Sequence, residues 1–226
     1  VFFNQAHAPF PSYRVNDEEY NQMIRPRLLR AIEIAGMLGV HNIVVHPVAF
    51  PERKKEQNLQ LYNELKPYAK KANVKIALEN MWGRDPRRGV ITPNVCSVAE
   101  ELADYYDSLD PECFTVCLDL GHIGLVGEYE ADFIKALGGK RLTCLHVHDN
   151  DYVHDSHTAP FMMKLPWNDI CSALAEINYT GALTLEADNF LKNLPPELYP
   201  AGLKFMHETA KCLVEKIENH ARGEFK

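Results

Sequence analysis

The chain has 226 residues, of which 46% are hydrophobic and 24% are charged, values typical of a soluble globular protein. This composition excludes a disordered, collagen-like or coiled-coil chain, and no apolar run approaches the roughly 20 residues needed to span a bilayer. The formal net charge is −7. It argues against nucleic acid as a partner, because an acidic protein does not attract a polyanion through its overall field.

Six cysteines are spread along the chain without a CxxC pair, which argues against a zinc–thiolate site. They predict reduced thiols in the core of a cytoplasmic protein. The opening VFFNQAHAPF lacks the basic-then-apolar pattern of a signal peptide and has no initiator Met. We therefore expect a cytoplasmic protein whose true N-terminus is missing from this sequence.

Short apolar runs alternate with longer amphipathic stretches, and six of the runs predict β-strands covered on both faces. The predicted strands span residues 1–5, 42–45, 74–78, 114–118, 142–147 and 182–185. Repeated strand–helix units imply parallel strands with right-handed crossovers. No linker or low-complexity run divides the chain, so a single domain over residues 1–226 is expected.

Helices are predicted between these strands. The first has apolar residues at helical spacing between Ile24 and Ala35, begins at or near Pro26, and stops at Gly39. The second covers residues 61–69, and an S-x-x-E capping box at Ser97 opens the third. Three more are predicted at residues 129–137, 167–177 and 202–217.

The informative feature is the residue that ends each apolar run, because in parallel α/β folds ligands bind at the carboxyl ends of the strands. Every one of the six runs ends in an imidazole or a carboxylate. These residues are His7, His46, Glu79, Asp119, His148 and Glu186. A parallel barrel would gather them around one axis, and such a ring has the composition of a metal site.

Each residue also has a plainer interpretation. A lone His after a strand is usually a hydrogen-bonded core or loop residue, and Asp119 with His122 could be a helix start with an N-capping Asp. His146 lies two residues before His148 on the same face of the strand, one layer deeper. It is the weaker candidate of the two.

Five segments together carry a resemblance to a known family. They are VVHP at 44–47, ALEN at 77–80, LDLGH at 118–122, HVHDND at 146–151 and LTLEAD at 183–188. In this order they resemble the xylose isomerase-like TIM barrel superfamily, which includes sugar and sugar-phosphate isomerases and epimerases, inosose dehydratases and AP endonuclease family 2. The resemblance implies a (β/α)8 barrel that lacks its first two βα units in this chain, about 50–60 residues.

The resemblance implies a ligand set and substrate contacts. Matched by motif, the metal ligands of the sugar epimerases are Glu79, Asp119, His148 and Glu186, and Glu79 and Glu186 are the catalytic acid and base. The further ligands of the endonuclease branch correspond to His7, His46, His122, Asp155 and His157, which are expected to contact substrate if only one metal binds. The cofactor is one divalent ion, Mn²⁺, Zn²⁺, Co²⁺ or Mg²⁺, or as many as three.

The implied reaction is isomerisation or epimerisation of a sugar or sugar phosphate, by proton transfer through a metal-stabilised enediolate. An AP endonuclease-like zinc phosphodiesterase and a sugar-acid or inosose dehydratase are the alternatives. Trp82 could stack on the sugar, and the loop bearing Arg84, Arg87 and Arg88 could hold a phosphate or carboxylate, or be merely solvated.

Two departures from the family pattern affect these expectations. Six βα units leave two strand edges open, which suggests a fragment, or a partner that covers the gap. The stretch from His157 to Trp167 lacks the family's glycines and contains Phe161, Met162 and Met163 instead. This more apolar stretch could contact another subunit, so a homo-oligomer is one expectation.

Overall fold

The computed structural model describes residues 2–224, and this part of the chain divides into two compact units. The first unit contains the residues up to Met81 together with Pro93–Cys117. The second unit contains Trp82–Thr92 and the residues from Leu118 onwards. The prediction of a single domain over the whole chain stays a prediction.

The first unit is built on four parallel strands. They are β1 (Gln5–His7), β2 (Asn42–Val44), β3 (Lys75–Glu79) and β6 (Phe114–Asp119), with neighbours in that order. The register pairs Ala6 with Ile43, and Ile43 with Ile76. The strand predicted at 1–5 instead covers Gln5–His7, so His7 is its last residue rather than a residue beyond it. Val1, the start of that prediction, lies outside the described residues.

Helix α1 (Glu18–Met37) begins eight residues before the predicted start at Pro26, which lies inside the helix. The reason is the N-cap at Asp17, whose Oδ1 accepts a hydrogen bond from the backbone N–H of Tyr20 at 3.1 Å. The helix buries Ile24, Leu28, Ile32 and Ala35, as the helical spacing predicted, and it packs against α2 (Lys54–Ala72).

The capping box predicted at Ser97 does not form. Helix α3 (Ala99–Asp107) has Val98 as its N-cap, with no side-chain hydrogen bond. The Ser97 hydroxyl instead donates to the carbonyl of Asn94 at 2.9 Å, which closes the preceding turn. Local side-chain bonds of this kind compete with capping.

The second unit contains the carboxyl end of β6 and two further strands of the same parallel sheet, β7 (Leu142–Val147) and β8 (Ala182–Leu185). A hairpin of β4 (Trp82–Arg84) and β5 (Ile91–Pro93) was not predicted. The helices are α4 (Leu120–Leu125), α5 (Glu130–Leu137), α6 (Trp167–Glu176), α7 (Asp188–Lys192) and α8 (Tyr199–Arg222), with a short 3-10 turn at Pro196–Leu198. Helix α6 packs against both α5 and α8.

The described residues therefore contain six parallel strands alternating with helices, the arrangement predicted for a TIM barrel-like chain short of eight units. All residues of β6 are buried. None of the six cysteines forms a disulfide, and five of them are buried. Within residues 2–224, no helix has both the length and the apolar character required to cross a membrane.

One buried carboxyl in the second unit lacks a counter-charge. Glu130, at the start of α5, is 1% exposed, and its Oε1 has no hydrogen-bond partner among the described residues. Burial, together with the nearby negative charge of Asp149 and opposed by a backbone hydrogen bond, raises the pKa of Glu130 from 4.5 to about 7. Between pH 4.5 and about pH 7, Glu130 therefore holds a proton in the folded chain but not in the unfolded chain.

Stability should therefore fall as pH rises through that window. We expect the free energy of unfolding to decrease by up to about 3 kcal/mol between pH 4.5 and pH 8 because of this group. The Glu130→Gln variant, which stays neutral, should lack that decrease in urea titrations, whereas the exposed neighbour variant Glu128→Gln should retain it. Parallel pH curves for wild type and Glu130→Gln would contradict the assignment.

Candidate metal centre

In the first unit, three predicted residues meet at the ends of their strands. The Nε2 atoms of His7 and His46 are 2.9 Å apart. The Oε2 atom of Glu79 lies 3.0 Å from His46 Nε2 and 3.7 Å from His7 Nε2. Glu79 is 1% exposed, so its charge needs compensation from these imidazoles or from a cation. Two nitrogens and one oxygen facing each other form a group suited to a divalent metal.

In the second unit, Asp119 is fully buried at the end of β6. Its Oδ1 accepts a hydrogen bond from the backbone N–H of His122 at 2.9 Å and caps α4. This is the N-capping role predicted as the alternative to metal binding. The same Oδ1 lies 3.0 Å from His148 Nε2, and Oδ2 lies 3.8 Å from His146 Nδ1. The carboxylate therefore caps a helix and also faces two imidazoles.

Glu186 follows β8 and contacts His146, which was predicted to be the weaker candidate of the two histidines. Its Oε2 is 3.0 Å from His146 Nδ1, and His146 is 3% exposed. His148 shares Asp119 with His146 but faces Asp155 rather than Glu186. The sequence could not separate the two histidines, because residues two apart in a strand point to the same face.

The second group in this unit surrounds Asp155. Asp155 Oδ2 lies 3.1 Å from His157 Nε2 and 3.7 Å from His122 Nε2, and Oδ1 lies 3.7 Å from His148 Nε2. The rings of His148 and His157 stack with centroids 4.1 Å apart. The Nδ1 atom of His157 lies 2.9 Å from the carbonyl oxygen of Glu186. A hydrogen bond donated there directs Nε2 toward the carboxylate, the arrangement typical of metal-binding histidines.

The charges in this group are tightly coupled. Burial alone would raise the pKa of Asp155, but contacts with His122 and His157 lower it well below its usual range. Burial likewise opposes protonation of His157, yet the Asp155 carboxylate raises the pKa of His157 to about 9. At neutral pH the pair is an ion pair, and a divalent cation would replace the proton on the imidazole.

Two buried polar atoms show that the donor set suits a cation. His148 Nδ1 and Asp155 Oδ1 have no hydrogen-bond partner among the described residues. Buried polar atoms without partners are rare, and an ion that binds nearby is one of the usual reasons. Imidazole nitrogens and carboxylate oxygens together fit Zn²⁺, Mn²⁺ or Co²⁺.

The loop that carries Asp155 and His157 is held in shape by Asp149. Its carboxylate accepts hydrogen bonds from the backbone N–H groups of Met163 and Leu165 and from Nε1 of Trp167, at 2.9 to 3.1 Å. Asp149 itself is fully buried. The stretch from His157 to Trp167 is therefore anchored without the glycines that the resemblance led us to expect.

Trp82 and Arg84 lie beside the Asp155 group. Trp82 Nε1 donates a hydrogen bond to Asp155 Oδ2 at 3.1 Å, and the Trp82 and His122 rings are edge to face at 6.4 Å. The Arg84 guanidinium carbon lies 5.7 Å from the Trp82 ring centroid. The structure thus brings Trp82 next to Asp155 and His122, and Arg84 next to Trp82.

Residues 4–209 match the family model described as Xylose isomerase-like TIM barrel. The chain belongs to this family. An uncharacterised protein of Methanocaldococcus jannaschii is 29% identical over 200 residues, 81% of this chain and 64% of that protein. A D-psicose 3-epimerase of Enterocloster bolteae is 30% identical over 92 residues, 41% of this chain and 29% of the epimerase. The chain spans about 60% of the length of the first curated relatives it matches.

Solved structures have the same fold. A D-tagatose 3-epimerase-like protein superposes with a TM-score of 0.71 at 22% identity, covering 94% of this chain and 79% of that one. The IOLI protein, solved with a zinc atom, superposes with a TM-score of 0.70 at 20% identity, covering 97% of this chain and 77% of that one. These similarities confirm the predicted fold class.

Gly121 leaves the space that the His148 ring occupies. A Cβ at this position would lie 2.1 Å from His148 Cε1 and 2.5 Å from Nε2. Since His148 is fully buried and stacked on His157, it has little room to move. We expect Gly121→Ala to lower stability by about 1–3 kcal/mol and to reduce zinc bound per chain.

The matched control is Gly39→Ala. Gly39 has a φ of +70° with no atom near the added Cβ, so this variant should lose about 1–2 kcal/mol through backbone strain alone. Zinc per folded chain, measured by elemental analysis, should stay unchanged in Gly39→Ala and fall in Gly121→Ala. Equal zinc in both variants would remove His148 from the candidate centre.

Proposed function

We propose that this protein is a divalent-metal-dependent enzyme that isomerises or epimerises a sugar. The observation that carries the proposal is the contact of Glu186 Oε2 with His146 Nδ1 at 3.0 Å, with Asp119 Oδ2 at 3.8 Å from the same nitrogen. These residues come from the carboxyl ends of three successive parallel strands, where ligands bind in parallel α/β folds. Their atoms offer two carboxylates and one imidazole to a single cation.

The proposed metal ligands are Asp119, His146 and Glu186. His148 stays a proposed ligand, since its Nε2 lies 3.0 Å from Asp119 Oδ1 and 3.7 Å from Asp155 Oδ1. Glu79 stays in the proposed set on the family resemblance alone. When bound, the metal would act as a Lewis acid that polarises a substrate carbonyl and acidifies the neighbouring C–H bond. The donor types suit Zn²⁺, Mn²⁺, Co²⁺ and Mg²⁺.

The residues of this chain would then move the proton. Glu186 is the proposed base or acid on one face of the sugar, and Glu79 is its proposed counterpart. Return of the proton to the adjacent carbon gives isomerisation, and return to the opposite face of the same carbon gives epimerisation. Trp82, adjacent to Asp155, offers an aromatic surface to the sugar and helps to exclude water.

The comparisons support a reaction of this class. One matched relative is described as a D-psicose 3-epimerase and one matched structure as D-tagatose 3-epimerase-like. A zinc atom is present in another matched structure. For this chain a small-molecule sugar substrate, like the enzymatic activity itself, is a proposal.

The test is the Glu186→Gln variant. It keeps the size of the side chain but removes the charge and the proton-accepting oxygen. We expect a loss of at least about 100-fold in kcat on any accepted ketose and weaker metal binding. Glu197→Gln, an exposed carboxylate in the same unit, is the control and should leave both unchanged. Normal metal content together with full turnover in Glu186→Gln would refute the proposal.

A zinc phosphodiesterase of the AP endonuclease kind is the second candidate. It is favoured by the Asp155 group, in which His122 and His157 nitrogens lie within 3.7 Å of one carboxylate oxygen. The net charge of −7 opposes it, since nucleic acid binding depends on cationic surface.

The two candidates differ in metal count and in the effect of Asp155→Asn. For the isomerase we expect about one metal per chain, and no cleavage of abasic-site DNA at low salt with zinc supplied. Two or three zinc ions per chain, with cleavage abolished by Asp155→Asn, would instead identify the phosphodiesterase.

A further inference from the structure

The first unit contains a cavity that is separate from its candidate metal group. The cavity has a volume of about 370 Å³ and is lined by α1, by α2 and by the loops that follow β1 and β2. None of the candidate metal ligands is among the described residues that line it. A volume of this size is within the range of pockets that hold small organic ligands. The proposed reaction makes no use of this cavity.

Ser12 brings a buried polar atom to the wall of the cavity. The residue is 3% exposed, and its hydroxyl has no hydrogen-bond partner among residues 2–224. Leaving a buried hydroxyl without a partner opposes folding, and such groups are rare in native proteins. A ligand in the cavity that forms a hydrogen bond with Ser12 would satisfy this group.

The remaining buried part of the wall is apolar. It consists of Ile24, Leu28, Phe50 and Leu65. The ring of Tyr13, which also lines the cavity, lies against the ring of Phe50 with centroids 5.3 Å apart. Such a surface packs against the C–H groups of a ligand. The wall therefore suits a ligand that has both C–H surface and a group able to meet one buried hydroxyl.

The rim of the cavity consists of flat polar groups whose charges are largely balanced. Arg25 Nη1 lies 3.0 Å from Glu64 Oε2 and joins α1 to α2. Gln22 Nε2 donates a hydrogen bond to Glu18 Oε1 at 3.2 Å. Gln60 Nε2 donates one to Glu64 Oε1 at 3.3 Å. With one arginine and two glutamates the lining is net negative, so it does not favour an anion. Its N–H donors and oxygen acceptors lie side by side, as neighbouring hydroxyl groups of a ligand require.

We propose that this cavity is a second binding site, for a neutral sugar in its ring form. A pyranose presents C–H groups on a face, which matches the aromatic wall, and hydroxyls at its edge, which match the rim. The Ser12 hydroxyl is both a donor and an acceptor, so it can pair with a sugar hydroxyl in either direction. The proposal goes beyond the proposed function, because neither a metal nor proton transfer enters it.

The experiment uses methyl α-D-glucopyranoside as the probe. Its ring is locked closed, so it has no carbonyl and cannot undergo the proposed reaction. Titration of the zinc-loaded full chain, followed by NMR chemical shifts, should give a dissociation constant on the order of 1 mM for wild type. Ser12→Ala should weaken binding at least about fivefold, because it removes the buried hydroxyl and leaves the apolar wall in place.

The matched control is Ser97→Ala. Ser97 belongs to the same unit and is also 3% exposed, but its hydroxyl already donates to the Asn94 carbonyl, and it does not line the cavity. This variant should bind the glucoside as wild type does. Equal affinities in wild type and Ser12→Ala would overturn the proposal. So would an absence of binding to wild type at about tenfold above the expected dissociation constant. Circular dichroism checks that each variant is folded.

Further arms separate this site from the metal centre and from other ligand classes. Loss of binding in Glu186→Gln with normal binding in Ser12→Ala would overturn the cavity proposal and leave the proposed function standing. Ser12-dependent binding without turnover of any sugar would support the cavity and refute the proposed function. Ser12-dependent binding of inorganic phosphate or of tetramethylammonium in place of the glucoside would overturn the neutral-sugar assignment.

Discussion

The candidate site of the second unit depends on a carboxylate that has no exposed surface. Asp119 ends a wholly buried strand, and burying an ionised carboxylate is costly unless donors surround it. The amide of His122 and the ring of His148 supply those donors. Its hydrogen bond to the His122 amide starts α4, so one side chain determines where the helix begins and presents its remaining oxygen to further imidazoles.

The first unit also buries a carboxylate that needs nearby donors, and different residues supply them. Glu79 is almost fully buried at the end of β3 and faces His7 and His46, which end two neighbouring strands. A buried charge without a partner would oppose folding, whereas a charge between two imidazoles can be held in place and can accept a cation. Both units thus concentrate ionisable groups at the carboxyl ends of strands.

The fold was largely predictable from the sequence because the signals were strong and local. The apolar runs at β7 and β8 matched the observed strands residue for residue. The start of α1 and the cap of α3 were not predicted correctly. At Asp17 a better cap lay upstream of the proline, and at Ser97 a turn competed for the hydroxyl. In each case the outcome depends on which hydrogen bond the polar side chain forms, and a residue pattern does not record that.

The types of residue in the candidate site could be predicted from the sequence, but not which of them contact each other. Strand alternation shows that His146 and His148 share a face, yet only tertiary contacts determine that Glu186 meets His146 and that His148 stacks on His157. The hairpin was missed because Trp82–Arg84 and Ile91–Pro93 are each three residues long, too short for a periodic signal. Only the tertiary structure shows that the hairpin contacts the Asp155 group, through the hydrogen bond from Trp82 Nε1 to Asp155 Oδ2.

The three hydrogen bonds that converge on Asp149 have a consequence for how quickly and how tightly a ligand can be captured. They fasten the far end of the connection between β7 and α6 to its beginning, so the segment that holds Asp155 and His157 is already a closed loop before anything binds. The conformational entropy of ordering it has been lost during folding, and capture of a cation needs no further ordering of that backbone. Preorganisation of this kind favours slow dissociation, because release of the ion does not let the loop relax into a broader ensemble.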